Sequence, residues 1–214
     1  MVFDPFDAIF DQFDPAKCTD CKLGGNGMHA YSRKHRGIGR KVMFVGEAPG
    51  EQEGKKHLAF VGNSGKLLDE WIGKMLVTNY VITNAVRHRP VTPQGANRTP
   101  GKDEIKACGV HLESEIASEN PKFIIYLGKS ALKTTDSRTV TMKQAIMHSL
   151  IDPYWYGTTT ALGLVVYHPA YILRKHWDMT PLLEMVSDII MNPPERGVMN
   201  TTVSQMLNKV VFPA

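Results

Sequence analysis

Lys41-Val42-Met43-Phe44-Val45-Gly46-Glu47-Ala48-Pro49-Gly50 is the stretch on which the fold turns. Four consecutive apolar residues, Val42 to Val45, are too few for a helix and are closed by a glycine, so they read as a buried strand. The chain then breaks into a tight loop, in which Gly46 and Gly50 permit close backbone approach and Pro49 fixes one turn. Glu47 falls at the carboxyl end of that strand, and the next helical pattern begins near Gly62. Ligands of open α/β sheets bind at loops of this kind. An ordinary strand-to-loop connection with a solvated glutamate is the alternative, and the rest of the chain decides between them.

The chain has 214 residues, 43% hydrophobic and 21% charged, which suits one globular domain with a sizeable core. It contains no run of about 18 apolar residues, so no membrane span is expected. Asp4, Asp7 and Asp11 among the first apolar residues do not resemble a secretory signal, and an intracellular protein is expected. A net charge of +4 permits an anionic partner without requiring one. Three cysteines do not make a disulfide framework; an intracellular metal or cluster site is the better reading.

Outward from the central strand, residues 1–17 carry an apolar and acidic pattern consistent with a short helix. Cys18-Thr19-Asp20-Cys21 follows, a spacing that lets two thiolates reach one metal. The basic run Arg33, Lys34, His35, Arg36, Arg40, Lys41 is either a solvated hairpin or part of a phosphate-binding face. Leu67, Leu68, Trp71, Ile72 and Met75 have helical spacing. Tyr80 to Thr83 is a strand ending in Asn84, and Arg87 to Lys102 is a long polar loop of the kind that often carries function. Asp103 to Ser118 is a helix, Phe123 to Leu127 a strand, and Ser130 to Lys133 a short helix; the stretch 134–162 is left unassigned. Leu164 to Tyr167 is the last strand, ending in His168-Pro169-Ala170, and Pro181 to Met191 the last helix. Alternating strands and helices predict a single-domain α/β/α sandwich over residues 1–194, with a mostly parallel four-stranded sheet and residues 195–214 as an appendage.

Three of those strands end in a residue useful to chemistry: Glu47, Asn84 and His168. Taken singly, an asparagine after a strand is more often a turn residue, and a histidine before proline a loop residue. Parallel strands place their carboxyl ends on one sheet edge, so the three together favour a shared pocket. The segments carrying them, Gly46 to Glu53, Ala59 to Gly65, Thr83 to Val86 and His168 to Arg174, resemble the uracil-DNA glycosylase superfamily. Within it they are most similar to family 4, the branch with an iron–sulfur cluster.

That resemblance implies an enzyme of base excision repair that flips uracil out of DNA and hydrolyses the N-glycosidic bond, leaving an abasic site. A non-catalytic uracil-DNA-binding relative is the alternative. It implies catalytic roles for Glu47, Glu53 and His168, and a uracil pocket formed by Gly46, Glu47, Ala48, Phe60, Asn84 and His168. Phe60 would stack on the base, and Asn84 would offer a donor and an acceptor to its edge. Ser64, Tyr171, Leu173 and Arg174 would meet DNA, residues 171–174 as a loop entering the minor groove. For the metal it implies Cys18, Cys21 and Cys108, with His88 where the family has a third cysteine. Three cysteines and a histidine suit a structural [4Fe–4S] cluster, with zinc as the less favoured occupant. His111, one turn beyond Cys108, is a second candidate ligand. The family's usual second acid after Glu53 is Gly54 here. Uracil-containing DNA is the implied partner, and a monomer is expected.

Overall fold

The computed structural model describes residues 13–134, 140–154, 156–158 and 160–195. Most of the helix expected over 1–17 lies outside them; Pro15–Lys17 is a 3-10 turn, capped by the Asp14 carboxylate accepting from the Ala16 N–H at 3.0 Å. Of the expected appendage, residues 196–214 also lie outside.

The elements in order are β1 (Arg33–His35), β2 (Val42–Gly46), α1 (Glu51–Lys56), α2 (Asn63–Lys74), β3 (Tyr80–Asn84), α3 (Lys102–Glu119), β4 (Phe123–Leu127), α4 (Lys129–Leu132), α5 (Met142–Ile151), β5 (Leu162–Val166), α6 (Pro169–Lys175) and α7 (Thr180–Met191). They build one sheet of order β1-β3-β2-β4-β5. β2 lies between β3 and β4, parallel to both, and β4 is parallel to β5. Every residue of β2 and of β4 is buried, so helices cover both faces of the sheet there. That is why these strands are unbroken apolar runs rather than alternating ones. The chain passes from β2 to β3 on one side and then to β4 on the other, so the sheet's switch point falls at the carboxyl end of β2.

The sheet has five strands, not four. The extra strand, β1, pairs antiparallel with β3, Arg33 opposite Ile82, and comes from the basic run. A charged edge strand needs no apolar pattern and discourages edge-to-edge association. Its cations are engaged at that edge: Arg33 donates to Asp69 at 3.1 Å, Lys34 and Lys41 each lie 2.8 Å from a Glu119 oxygen, and Arg40 donates to the Met191 carbonyl at 3.1 Å. The unassigned stretch holds α5, whose start carries a capping box: Thr141 Oγ1 accepts from the Gln144 N–H at 3.2 Å, and Gln144 Oε1 accepts from the Thr141 N–H at 2.9 Å. Residues 171–174 lie within helix α6 rather than a loop. Among the described residues no helix is long and apolar enough to cross a membrane.

Burial opposes ionisation of Glu119, but hydrogen bonds and charge from Lys34 and Lys41 outweigh it and hold the carboxyl below its ordinary value of 4.5. A depressed carboxyl adds stability above its unfolded value and loses it as pH falls through the folded one. Glu119→Gln is expected to cost about 1 kcal/mol in urea unfolding at neutral pH. The gap to wild type should start to narrow as pH falls through the ordinary carboxyl value of 4.5 and close only below the depressed folded value, where the Glu119 carboxyl is protonated in both states.

Candidate active site

The carboxyl ends of β2, β3, β4 and β5 open into a cavity of about 1040 Å³, lined among others by Glu47, Phe60, Asn84 and His168. The in-register pairing of Gly46 with Asn84 brings two of the sequence motifs side by side. Beyond the pairing, the Ala85 N–H donates to the Gly46 carbonyl at 2.9 Å and the Val86 N–H to the Glu47 carbonyl at 3.1 Å, so the two loops leave the sheet tied together. Gly46 lies beneath the site. A Cβ there would meet Phe60 Cζ at 2.4 Å and Asn84 Oδ1 at 2.5 Å, so only glycine lets the ring and the amide rest on the strand end. Ala48 lines the cavity on one side and packs towards Cys108 and Val86 on the other.

Phe60 is buried with φ at +54°, a left-handed conformation unusual for an aromatic residue. Two neighbours hold it there. Gly65 leaves room for the Phe60 carbonyl, which a Cβ would approach to 1.8 Å. The Glu53 carboxylate accepts from Val61 N–H at 3.0 Å and Gly62 N–H at 2.8 Å through Oε1, and from Gly50 N–H at 3.2 Å through Oε2. Both Glu53 oxygens therefore serve the backbone, clamping the loop that presents Phe60. Gly54 faces Met28, whose Cε a Cβ would approach to 2.7 Å; an acid at this position would displace that side chain.

Asn84 is 3% exposed, and its Oδ1 is buried without a hydrogen-bond partner. His168 caps α6: its Nδ1 accepts from the Ala170 N–H at 3.1 Å. A neutral imidazole accepting at Nδ1 carries its proton on Nε2, so that edge is a donor. Burial, helped by the positive charge of Arg174 and opposed by Glu53, pushes His168 down to about 4. The ring is neutral at physiological pH. Its centroid lies 5.9 Å from that of Phe60. Gly128, at φ +88°, follows β4 directly beneath; a Cβ there would stand 3.1 Å from the His168 Cβ.

Ser64, Tyr171 and Arg174 line the same cavity, Arg174 with its guanidinium carbon 6.0 Å from the Tyr171 ring centre. Leu173 does not line it and is 39% exposed on α6. The sequence reading passed over Gly128, Lys129, Ser130 and Trp177, all of them lining residues. Gly128 had a signal, a glycine closing an apolar run; Trp177 had none, since only the turn after α6 brings it against Tyr171, with ring centres 5.3 Å apart. The long loop contributes Pro90, Asn97, Arg98 and Thr99 to one wall. It is stapled by Arg98, which donates to the buried Glu104 at 2.8 and 2.6 Å.

The cysteines gather beside this wall. Cys18, Cys21 and Cys108 are free thiols, Cys18 and Cys108 are buried, and Cys108 feels the charge of both the others. Burial raises the Cys108 thiol, while the Arg87 main-chain N–H donates to it. His88 is 1% exposed, and burial pushes its imidazole below the ordinary value of 6.5 against a hydrogen bond from its ring to the Pro15 carbonyl. On the other flank, ligand atoms of Cys18, Asp20 and His111 lie within 4.8 Å of one another, with His111 Nε2 2.6 Å from Asp20 Oδ2.

Residues 36–189 match the family model described as the uracil DNA glycosylase superfamily. Three proteins each named Type-4 uracil-DNA glycosylase are similar. That of Thermotoga maritima is 34% identical over 74% of this chain and 79% of its own. That of Saccharolobus solfataricus is 33% identical over 79% of this chain and 78% of its own. That of Sulfurisphaera tokodaii is 38% identical over 62% and 61%. A match across most of the chain, spanning all three strand ends that meet in the cavity, places the protein in the uracil-DNA glycosylase superfamily.

Proposed function

We propose that this protein excises uracil from DNA, and that the cavity at the carboxyl ends of β2, β3 and β5 receives the flipped base. The observation that carries this reading is Asn84. A buried acceptor without a partner costs about 1–3 kcal/mol, and its residue lines a cavity that also holds a flat aromatic wall and an imidazole. Uracil supplies what is missing: its N3–H donates to Asn84 Oδ1, and its O4 accepts from the same amide. Cytosine presents the reverse pattern and would leave both groups unpaired. Phe60 offers its face to the base, a contact contributing about 1–3 kcal/mol.

In the reaction the C1′–N1 bond breaks and its electron pair leaves with the base, so charge gathers on uracil O2 as the sugar becomes cationic. The neutral His168 donates from Nε2 to that oxygen. Because the Ala170 N–H already occupies Nδ1, the proton is held on Nε2 of a cavity-lining ring before the base arrives, which limits the reorganisation that stabilisation needs. Glu47, which lines the same cavity, supports the cationic sugar and takes the proton from the water that adds to C1′. The products are free uracil and an abasic site. Glu53 is assigned a positioning role, since its oxygens already hold the Phe60 loop. Ser64, Tyr171 and Arg174 at the rim grip the DNA backbone and the gap left by the base. Leu173, exposed on α6 outside the cavity, is assigned to the groove. The protein is taken to act as a monomer inside the cell.

For the metal, Cys18, Cys21, Cys108 and His88 fit a [4Fe–4S] cluster. Three thiols share one buried neighbourhood, and His88 has one nitrogen fixed by a backbone carbonyl, the arrangement that orients histidine ligands. A cluster held by these residues would supply a structural cross-link between the Cys18–Cys21 turn, the loop after β3 and α3. The compact Cys18, Asp20 and His111 group favours zinc as the second reading.

An alkali-cleavage assay on uracil-containing oligonucleotide tests the activity. Wild type should cleave, while Glu47→Ala and His168→Ala lose about 100- to 1000-fold yet still bind. Intact wild-type substrate would leave only a DNA-binding relative. The ratio of wild-type to His168→Ala rates should stay level from about pH 8 to about 5.5 and fall only towards 4, where the imidazole gains its proton. An inflection of that ratio at the ordinary histidine value of 6.5 would contradict a neutral donor. For the metal, purified protein should absorb in the visible, and His88→Ala should lower both iron per chain and melting temperature, with His88→Cys restoring them. Iron retained in His88→Ala but lost in His111→Ala would move the ligand to α3.

A further inference from the structure

Arg87 and Glu115 form a buried ion pair that the mechanism above does not use. The two are 4% and 5% exposed, and neither lines the cavity. Arg87 Nη2 donates to Glu115 Oε2 at 2.6 Å, and its Nη1 donates to Ser32 Oγ at 2.9 Å and to Thr83 Oγ1. Ser32 in turn donates to Thr83 at 2.9 Å. The desolvation of two buried charges can exceed what their attraction returns, so stability alone is a poor reason to keep them. What such a pair adds is a fixed direction. Here the direction is given to one turn of chain, because Thr83 and Arg87 bracket Asn84. The same residue faces the cysteines: the Arg87 main-chain N–H donates to Cys108, which lies on α3 two turns before Glu115.

We propose that the Arg87–Glu115 pair is a positioning device for base reading, which holds the turn after β3 so that the Asn84 amide meets the uracil edge and which anchors that turn on the cysteine-bearing helix α3. The inference rests on the base-reading role of Asn84 given above. Asn84 Oδ1 has no protein partner, so nothing bonded to that oxygen fixes its aim; the backbone must do so. The backbone is held on one side by the parallel pairing with β2 and on the other by Arg87. The reading amide makes contacts that are alike in substrate and transition state, so its displacement appears in KM more than in kcat.

The test is a double-mutant cycle between the pair and Asn84 in the full-length, metal-replete protein. Arg87→Met with Glu115→Leu keeps volume and removes both charges, and is expected to melt within a few degrees of wild type with unchanged iron content. Its KM for uracil-containing single strand should rise about tenfold with kcat changed less than about threefold. In the Asn84→Ala background, where KM is already raised, the same replacement should add nothing. Glu115→Gln, which keeps the shape and removes the charge, carries the same cycle where the double replacement does not fold. A wild-type KM in Asn84→Ala overturns the reading role of Asn84 and this inference with it. A raised KM in Asn84→Ala beside an unchanged KM in the pair variant, or losses that simply add, overturns the inference alone.

Discussion

The parallel, in-register pairing of β2 with β3 is the constraint on which the site depends. Val45 lies opposite Thr83 and Gly46 opposite Asn84. Neighbouring strands run about 4.8 Å apart, so the last residue of β3 is delivered directly beside the last residue of β2. A slip of one residue would turn Asn84 to the other face of the sheet. With the register fixed, the absence of a side chain at Gly46 leaves a space that the Asn84 amide and the Phe60 ring fill together. Both strands are buried along almost their whole length, so the alignment is stabilised by core contacts along the apolar part of each strand.

Two glutamates six residues apart in the first motif have opposite fates. Glu53 is surrounded by three main-chain N–H groups and is spent on architecture. Glu47 leaves its carboxylate on the cavity wall while its carbonyl holds Val86. The distinction follows from position. Glu53 is in the first turn of α1, where unpaired N–H groups and the helix dipole attract a carboxylate. Glu47 precedes the helix and has no such donors. A similar division separates the two nitrogens of His168, one capping α6 and the other left to the site. Satisfied groups fix the frame, and the unsatisfied ones, with Asn84 foremost, are what a ligand is selected to complete.

Much of this frame is legible in the sequence because fully buried parallel strands must be continuous apolar runs. Val42 to Val45, Tyr80 to Thr83 and Phe123 to Leu127 announce themselves, and the residues that follow them fall on one edge by topology. β1 is not legible, since three polar residues at a sheet edge carry no hydrophobic period. Nor are α1 and α5, whose starts are marked only by short capping patterns. The Arg87–Glu115 pair is hidden for another reason. Its partners are 28 residues apart, and nothing local in either residue tells that the other will bury it.

Sequence distance also separates the cysteines, which the fold gathers beside the cavity. The turn at Cys18–Cys21 and the loop after β3 enclose a small apolar cluster, with only Leu23, Val86 and Cys108 buried and Cys21, Ala48 and Ile105 packed against it. So few residues bury too little surface to offset the entropy of ordering a long polar loop. Yet that loop supplies a wall of the cavity through Pro90 and Arg98, and Ala48 stands between the cluster and the cavity. A cross-link through the thiols and His88 would limit the freedom of the loop before folding and so lower the entropy lost on ordering it. Ordering the wall is the work that such a cross-link would do from this position.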